Sequence, residues 1–200
     1  TQAKAACTLL MRNLENAANL ITSFKQIAVD QTSDKRRVFN LQTVTTEVAS
    51  TLGGRIRRDL HQLKIQIPAD IEMDSYPGPY GQVISNMIIN ALLHAFDENK
   101  SGEIRIIASQ LNASHVRIQI KDNGKGISED NLNRIFDPFF TTRMGQGGSG
   151  LGLHISYNIV TAILGGSIKV KSRVSKGTIF ELILPLCAPE ANAEEPPTNN

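Results

Sequence analysis

Three glycine-bearing segments are the first candidates for chemistry, because glycine lets a backbone turn sharply and approach a ligand closely. One of them, residues 122–127, reads DNGKGI and comes directly after a predicted strand. The carboxylate of Asp122 at that strand end can accept a hydrogen bond from an exocyclic amine, such as the one on adenine. An ordinary Asp-Asn-Gly turn explains this segment alone equally well. The segment therefore indicates a binding loop only in combination with other motifs.

Residues 145–153, with the sequence GQGGSGLGL, lead into a predicted helix. Free backbone amides at a helix N-terminus form an anion site suited to phosphates. A Gly-x-Gly-x-x-Gly string in this segment also matches a dinucleotide fingerprint, which needs a preceding strand and an acidic residue about 20 positions later. Val170 stands at the acidic position, so we reject the dinucleotide interpretation. The sequence contains no Walker-type phosphate loop, and the third segment, residues 176–178 (KGT), is by itself an ordinary hairpin turn.

Asn86 and Asn90 lie one helical turn apart, on the same face of a predicted helix as His94. Asparagine oxygens suit Mg²⁺, a hard cation that shares the phosphates of its nucleotide. A buried polar stripe on an otherwise apolar helix is costly unless its groups are satisfied. Core asparagines that form hydrogen bonds within the protein are the alternative interpretation.

Hydrophobic periodicity predicts the elements that must position these residues. The predicted helices cover residues 1–30, 41–61, 82–96, 129–135 and 151–164, and the predicted strands cover residues 64–67, 71–74, 103–110, 115–121, 167–172 and 178–184. Residues 30–37 are polar and are predicted to connect the first helix to the rest of the chain.

The first thirty residues contain no proline or glycine, and their apolar residues recur at alternating steps of four and three. These residues are Ala3, Cys7, Leu10, Leu14, Ala17, Ile21, Phe24 and Ala28. Such a seam is typical of a coiled coil, which favours an intermolecular bundle over a helix lying on its own domain. At the other end, the residues after Pro185 are acidic and proline-rich, which predicts a disordered tail.

The composition is that of an ordinary globular protein: 40% of the residues are hydrophobic, 20% are charged, and the net charge is +2. That charge is too small to predict a nucleic-acid or membrane-surface partner, and short basic runs such as residues 35–37 are typical of solvated faces. Cys7 and Cys187 stand far apart and the four histidines are dispersed, which argues against a structural zinc site. No apolar run reaches the roughly 18 residues of a membrane span. Sparse cysteine fits a cytoplasmic setting.

The motifs follow one another in an order that resembles the sequence boxes of sensor histidine kinases. Asn86 and Asn90 resemble the N box, residues 122–126 the G1 box, residues 136–140 (FDPFF) the F box, residues 148–153 the G2 box and residues 177–178 the G3 box. Upstream, residues 24–31 (FKQIAVDQ) resemble the second helix of the family's dimerisation and phosphotransfer hairpin. Five motifs in the family's order over roughly half the chain make agreement by chance negligible.

The resemblance implies an α+β fold, a two-layer α/β sandwich of the histidine-kinase ATPase type, preceded by a long helix of the dimerisation hairpin. Residues 1–38 would hold that helix and its connector, residues 39–187 the ATP-binding catalytic domain, and residues 188–200 a disordered tail. The activity implied is transfer of the ATP γ-phosphoryl group to a histidine, for relay to a response-regulator aspartate in two-component signal transduction.

By the same resemblance, Asp122 would bond the adenine amine, Asn90 would ligate Mg²⁺, and Asn86 and Asn90 would be catalytic. The ATP contacts implied are Asn86, Asn90, His94, Asp122, Gly124, Gly126, Ile127, Phe140, Thr141, Thr142, Arg143, Gly148, Gly150, Leu151, Gly152, Leu153 and Thr178. Residues 137–148 would form a mobile lid over the nucleotide, anchored by the phenylalanines of the F box.

Two departures from the family pattern bear on activity. Leu93 stands where many members carry a lysine, and Arg143 on the lid would be a substitute cation. The family's phosphorylated histidine, which has an acidic neighbour, is absent, because none of the four histidines has such a setting. The resemblance therefore implies that the histidine-bearing helix lies upstream, and that this chain alone binds ATP without phosphorylating itself.

The partners implied are ATP, the histidine-bearing helix, the receiver domain of a response regulator and a second copy of the chain through the N-terminal helix, with no nucleic acid. The chain would be the cytoplasmic portion of a protein that the inner membrane could anchor.

Two other functional classes remain as alternatives to a histidine kinase. A gyrase- or mismatch-repair-type ATPase carries a glutamate base four residues before its Mg²⁺-binding asparagine, but Asn86 stands there and its amide cannot take a proton. A non-catalytic, nucleotide-gated interaction module is the other alternative, if Leu93 prevents productive binding.

Overall fold

A five-stranded sheet forms one layer of the fold, and helices cover one of its faces. The computed structural model describes residues 35–58, 61–97, 101–142 and 149–190. The strands are β1 (Arg37–Asn40), β2 (Gln62–Gln66), β3 (Glu72–Ser75), β4 (Glu103–Gln110), β5 (His115–Asp122), β6 (Ser167–Arg173) and β7 (Gly177–Pro185). The helices are α1 (Leu41–Arg58), α2 (Pro77–Asn90), α3 (Glu129–Leu132) and α4 (Gly152–Asn158). None of the helices in this described part is long and apolar enough to cross a membrane.

The strand order of the large sheet is β2-β4-β5-β7-β6, with β2 parallel to β4 and the other neighbours antiparallel. Strands β1 and β3 form a separate antiparallel pair. This mixed sheet with helices on one face confirms the predicted α+β sandwich. The long N-terminal helix that was predicted to precede it falls in residues 1–34, outside the described residues.

Alternation of buried and exposed side chains along the central strands explains the two layers. The even-numbered apolar residues of β4 and β5 are buried, and Ile104, Ile106 and Ile118 among them are completely buried. They face α2, whose residues Ile84 and Ile88 are equally buried. Burial of each such side chain contributes about 1.5–3 kcal/mol, so the contact between α2 and the sheet is a main source of stability and fixes the position of α2.

Helices α2 and α4 each continue into a π-helical turn. Residues Ala91–Ala95 form such a turn after α2, and Ile159–Ile163 form one after α4. A π-helical turn holds one residue more than an α-helical turn and is frequent at functional sites. The predicted helices over residues 82–96 and 151–164 are therefore present, although the first begins earlier than predicted, at Pro77. His94 follows Asn90 with π-helical rather than α-helical geometry.

Strand β1 is the element that the sequence prediction missed. Its register pairs Arg37 with Ser75 and Asn40 with Glu72. The preceding residue, Arg36, contacts the Asp74 carboxylate at 2.8 Å, and this hydrogen-bonded ion pair lowers the pKa of Asp74. Its sequence, RVFN, does not alternate apolar and polar residues, so only the pairing with β3 reveals the strand. The predicted domain boundary after residue 38 falls inside β1.

The C-terminal segment remains ordered further than predicted. The Asp74 amide donates to the Leu186 carbonyl at 2.8 Å, and the Ala188 amide donates back to the Asp74 carbonyl at 2.9 Å. Ala188 is only 2% exposed. The prediction of a disordered tail from residue 188 is therefore wrong at its first residue, because β3 offers free backbone groups there. Residues 191–200 lie outside the described part of the chain.

Candidate nucleotide-binding site

A cavity of about 360 Å³ opens between α2, the loop after β5 and the beginning of α4. Thirteen of the predicted contact residues line it: Asn86, Asn90, His94, Asp122, Gly126, Ile127, Phe140, Thr141, Thr142, Gly150, Gly152, Leu153 and Thr178. Gly124 and Leu151 do not line it, and Arg143 and Gly148 lie outside the described residues. The fold thus brings residues of all five sequence motifs to one site.

One end of the cavity is organised around the carboxylate of Asp122. Its Oδ1 accepts hydrogen bonds from the amides of Gly124 at 2.9 Å and Thr178 at 3.2 Å. Burial raises the pKa of this carboxyl above its ordinary value, and the two amide hydrogen bonds oppose that shift. Because a carboxylate has about four acceptor sites, Oδ2 remains able to accept from an amine on a flat ligand.

The glycines of the loop after β5 serve its packing. A Cβ at Gly124 would lie 2.3 Å from the carbonyl oxygen of Ala95, and the neighbouring Lys125 amide donates to that same oxygen at 2.8 Å. Gly126 has a φ of +71°, and a Cβ there would meet the Arg173 carbonyl oxygen at 2.2 Å. The loop is therefore fixed between the π-helical turn after α2 and strand β6, and Gly124 packs on the turn instead of facing the cavity.

The two asparagines of α2 have different environments. The Asn86 amide nitrogen donates to the Gly152 carbonyl and to Ser156 Oγ, each at 3.2 Å, and so ties α2 to α4. The Asn90 amide nitrogen is buried and has no hydrogen-bond partner among the described residues. An unsatisfied buried polar group costs about 1–3 kcal/mol. In the wall of a cavity, such a group fits a ligand that would complete it.

The π-helical turn after α2 contributes a further part of the wall. Leu93 and His94 both line the cavity, and His94 Nδ1 lies 3.5 Å from Thr142 Oγ1. At the position where many family members carry a lysine, this cavity wall thus has the apolar side chain of Leu93. Among the described lining residues, Lys125 is the sole lysine or arginine, and it is exposed. Sequence analysis gave Lys125 no role, although its place between two glycines of the loop was the available signal.

At the other end of the cavity, Gly150 and Gly152 lead into α4. Gly150 has a φ of +70°, and a Cβ there would meet the Phe139 backbone at 2.5 Å. A Cβ at Gly152 would lie 3.7 Å from the Asn90 amide nitrogen. Leu151 between them is buried and faces away from the cavity. The backbone of this segment therefore lies against the asparagines of α2, where a group with several acceptor oxygens could meet both.

The phenylalanines predicted to anchor the lid differ in their contacts. The Phe136 ring lies 5.5 Å from that of Tyr157, and the Phe136 carbonyl oxygen accepts a hydrogen bond from His154 Nδ1 at 3.0 Å. The Phe140 ring lies under the Arg134 guanidinium at 4.9 Å. Phe139 is 53% exposed. Phe136 and Phe140 are packed as anchors would be, whereas Phe139 faces solvent.

Residues 76–188 match the sequence profile of the family described as "Histidine kinase-, DNA gyrase B-, and HSP90-like ATPase". That region is more than half of the chain and contains every residue of the cavity. The chain belongs to this family. It is an ATPase domain of the sensor-histidine-kinase type, because its relatives and structural neighbours are histidine kinases.

The relatives include sporulation kinase E of Bacillus subtilis, which is 31% identical over 94% of this chain, and the match spans 24% of that protein's length. The catalytic domain of the histidine kinase ThkA superposes with a TM-score of 0.68 at 30% identity, over 76% of this chain and 97% of that domain. A crystal structure of ThkA in complex with the response regulator TrrA gives the same TM-score at 25% identity, over 86% of this chain and 48% of that one. The chain thus corresponds to about a quarter of a full-length relative.

Proposed function

We propose that this chain is the catalytic core of a sensor histidine kinase, which holds ATP for transfer of its γ-phosphoryl group to a histidine. The proposal rests on one cavity whose two ends have incomplete hydrogen bonding. At one end, the backbone amides bind only one oxygen of the Asp122 carboxylate. At the other end, the amide nitrogen of Asn90 has no hydrogen-bond partner among the described residues. An adenine amine would donate a hydrogen bond to Asp122, and a metal–phosphate group would contact Asn90.

At the base end, Asp122 would accept from the adenine amine through Oδ2. Ile127 and Thr178 line the same end, and Thr178 is fixed because its hydroxyl lies 3.0 Å from Ser172 Oγ. These contacts orient the base without any rearrangement of the loop. Positioning and electrostatic stabilisation are the main protein contributions to phosphoryl transfer, because the chemistry itself needs little covalent participation from the protein.

At the phosphate end, Asn90 would hold Mg²⁺ through its amide oxygen. The described residues contain no cluster of three or more His, Cys, Asp or Glu side chains that could bind a metal ion alone, which fits a cation that takes most of its ligands from phosphates and water. When bound, Mg²⁺ neutralises charge on the phosphates. The segment Gly150–Gly152 would approach the phosphates with its backbone, because no side chain stands in the way.

In the transfer step, a nitrogen lone pair of the acceptor histidine would attack the γ-phosphorus. The bond from that phosphorus to the β,γ-bridging oxygen would break, ADP would leave, and the histidine would lose its proton. We place the acceptor on a helix outside the described residues and propose that a response-regulator receiver domain takes the phosphoryl group next. The ThkA–TrrA complex supports that partner. Dimerisation through residues 1–30 and a cytoplasmic location remain proposals from the sequence.

The position of Asn86 argues against the alternative of an ATPase that hydrolyses ATP. A hydrolase of this family would need a base for water at this position, but Asn86 carries an amide whose nitrogen donates to α4. An amide bound in this way cannot accept a proton from water. The site therefore fits transfer to a supplied nucleophile better than transfer to water.

The test is a transfer assay with γ-labelled ATP and a separately supplied hairpin that bears the acceptor histidine. We expect label on the histidine of the hairpin, with negligible release of inorganic phosphate when the hairpin is omitted. Release of phosphate at the same rate with and without the hairpin, and no label on it, would assign the chain to the hydrolysing ATPases instead.

A further inference from the structure

The face of the large sheet that the helices leave open is strongly basic. Its side chains are the odd-numbered residues of β4, β5, β6 and β7 and the even-numbered residues of β2, which alternate with the buried ones. Seven cations lie on it, namely Lys64, Arg105, Arg117, Lys121, Lys169, Lys171 and Arg173, together with two carboxylates, Glu103 and Glu181. The net charge of this open face is thus about +5, whereas the whole chain carries +2.

Strand register places four of these cations in one row across the sheet. Lys64 pairs with Arg105, Arg105 with Lys121, Lys121 with Ile179, and Ile179 with Lys171. Strands lie about 4.8 Å apart, so the row is about 19 Å long. Like charges directly opposite each other on neighbouring strands are destabilising. The sheet therefore holds these cations together at a cost that an anionic partner would remove.

The two carboxylates of the open face neutralise only part of its positive charge. Glu103 accepts hydrogen bonds from both Lys64 and Arg105, and Glu181 lies 3.8 Å from Arg117. Four cations have no ion pair within the described part of the chain: Lys121, Lys169, Lys171 and Arg173. They occupy β5 and the edge strand β6, so the unneutralised charge is concentrated at one side of the sheet.

The side chains of the open face narrow the choice of anionic partner. Sheets that bind single-stranded nucleic acid present several aromatic rings for stacking, whereas the described open face has only the imidazole of His115, at the beginning of β5. Protein interfaces are enriched in arginine and aromatic residues and depleted in lysine, whereas three of the four unpaired cations are lysines. An anionic lipid surface needs neither stacking nor bidentate geometry, only a broad array of positive charge. We propose that the open face of the sheet docks on a bilayer surface rich in anionic lipids.

This docking would leave the nucleotide cavity accessible, because the cavity is lined from the helical side of the sheet by α2 and α4. Ile107 and Ile179, which lie among the cations, are only partly buried and would contact the headgroup region. Each basic residue near an anionic surface raises affinity about fivefold, and the effect falls off within a Debye length of about 8 Å at physiological salt.

The experiment is co-sedimentation of the chain with phosphatidylcholine vesicles that contain about 30 mol% phosphatidylglycerol, an anionic lipid. The test variant is Lys121→Glu/Lys169→Glu/Lys171→Glu, in which all changes lie on the open face. The matched control is Lys35→Glu/Arg37→Glu/Arg55→Glu, which changes the net charge equally at exposed positions off that face. Affinity for an ATP analogue, measured in parallel, checks that both variants fold.

We expect binding to the anionic vesicles and none to pure phosphatidylcholine. The open-face variant should bind about a hundredfold more weakly, while the control variant changes less than about threefold. Failure of the unaltered chain to bind anionic vesicles would overturn the proposal, and so would equal losses in the two variants, which would show a response to net charge alone. Tighter binding of a DNA duplex than of the vesicles, lost in the open-face variant, would assign the face to nucleic acid instead.

Discussion

The two ends of the nucleotide cavity differ in how complete they are without a ligand. At the base end, Asp122 already accepts two backbone amides, and its loop is fixed between the π-helical turn and β6. At the phosphate end, the Asn90 amide nitrogen is buried without a partner among the described residues. The base end is therefore preorganised, whereas the phosphate end becomes complete only when a ligand brings its own polar atoms.

The same contrast exists between the two asparagines of α2. Asn86 uses its amide nitrogen to join α2 to α4, whereas the amide nitrogen of Asn90, one helical turn later, has no hydrogen-bond partner among the described residues. Asn86 thus makes a structural contact between two helices, whereas Asn90 is available for a contact with the ligand. This difference makes their substitution a sensitive test.

The largest expected effect is at the base end. Asp122→Ala removes the acceptor for both loop amides and for the ligand, so we expect ATP-analogue affinity to fall by at least about a hundredfold and the free energy of unfolding to fall by about 1–3 kcal/mol. Asp122→Asn keeps an oxygen for the two amides but removes the charge, so it should lose affinity while remaining about as stable as the unaltered chain. Calorimetric titration and denaturant unfolding measure the two quantities. Undiminished affinity in Asp122→Ala would remove the adenine assignment.

Substitution of the asparagines should separate binding from stability. We expect Asn90→Ala to weaken Mg²⁺-dependent nucleotide binding about tenfold and to leave the unfolding free energy unchanged or raised, because an unsatisfied buried group is removed. Asn86→Ala should lower the unfolding free energy by about 1–2 kcal/mol, since it breaks hydrogen bonds to α4. If Asn90→Ala proves the more destabilising of the two, Asn90 has a structural partner and the contrast between the two positions is lost.

A smaller effect is expected at Lys125, the lysine in the described lining of the cavity. An exposed charge pair contributes at most about 1 kcal/mol, so Lys125→Met should weaken ATP-analogue binding by up to about fivefold. The loss should grow from AMP to ADP to ATP if the ammonium group faces phosphates. Lys176→Met, in the adjoining hairpin turn outside the cavity lining, is the matched control. Equal losses for the three nucleotides would place Lys125 against the base or sugar.

The smallest effect concerns pH. Burial raises the pKa of Asp122, so its folded-state pKa lies above the unfolded value. Protein stability should then fall as pH rises through the window between the two values, because the unfolded state ionises first. Affinity for adenosine, which has no phosphate to titrate, should instead rise across the folded-state pKa, since the carboxylate is the acceptor. Adenosine titrations of the unaltered chain and Asp122→Asn across that window provide the measurement. A pH dependence that persists in Asp122→Asn would arise from another group.

Sequence patterns predicted the elements whose apolar residues recur regularly over a long segment or that contain a distinct motif. The alternation in β4 and β5 and the apolar periodicity of α2 follow directly from burial on one face. Strand β1 was missed because its residues, RVFN, do not alternate apolar and polar side chains. The ordered Ala188 was missed because its partner, β3, is distant in sequence. Tertiary pairing stabilises both, and a local pattern cannot reveal it.

The candidate site shows the same limit. Asp122 and Asn90 were predicted from motifs, but the packing role of Gly124 depends on the π-helical turn that brings Ala95 against it. The basic open face was invisible in the sequence because its cations stand on four separate strands and meet only through register. The net charge of +2 is a sum over the whole chain, so it does not reveal that the positive charge is concentrated on one face of the sheet.

The central claim is that the two ends of one cavity hold the two ends of MgATP. A crystal structure of the chain with a non-hydrolysable ATP analogue and Mg²⁺ tests it most directly. We expect the adenine amine about 3 Å from Asp122 Oδ2 and the metal about 2.1 Å from the Asn90 amide oxygen. A nucleotide bound with its base away from Asp122, or a metal–phosphate group that leaves Asn90 without a contact, would contradict the account.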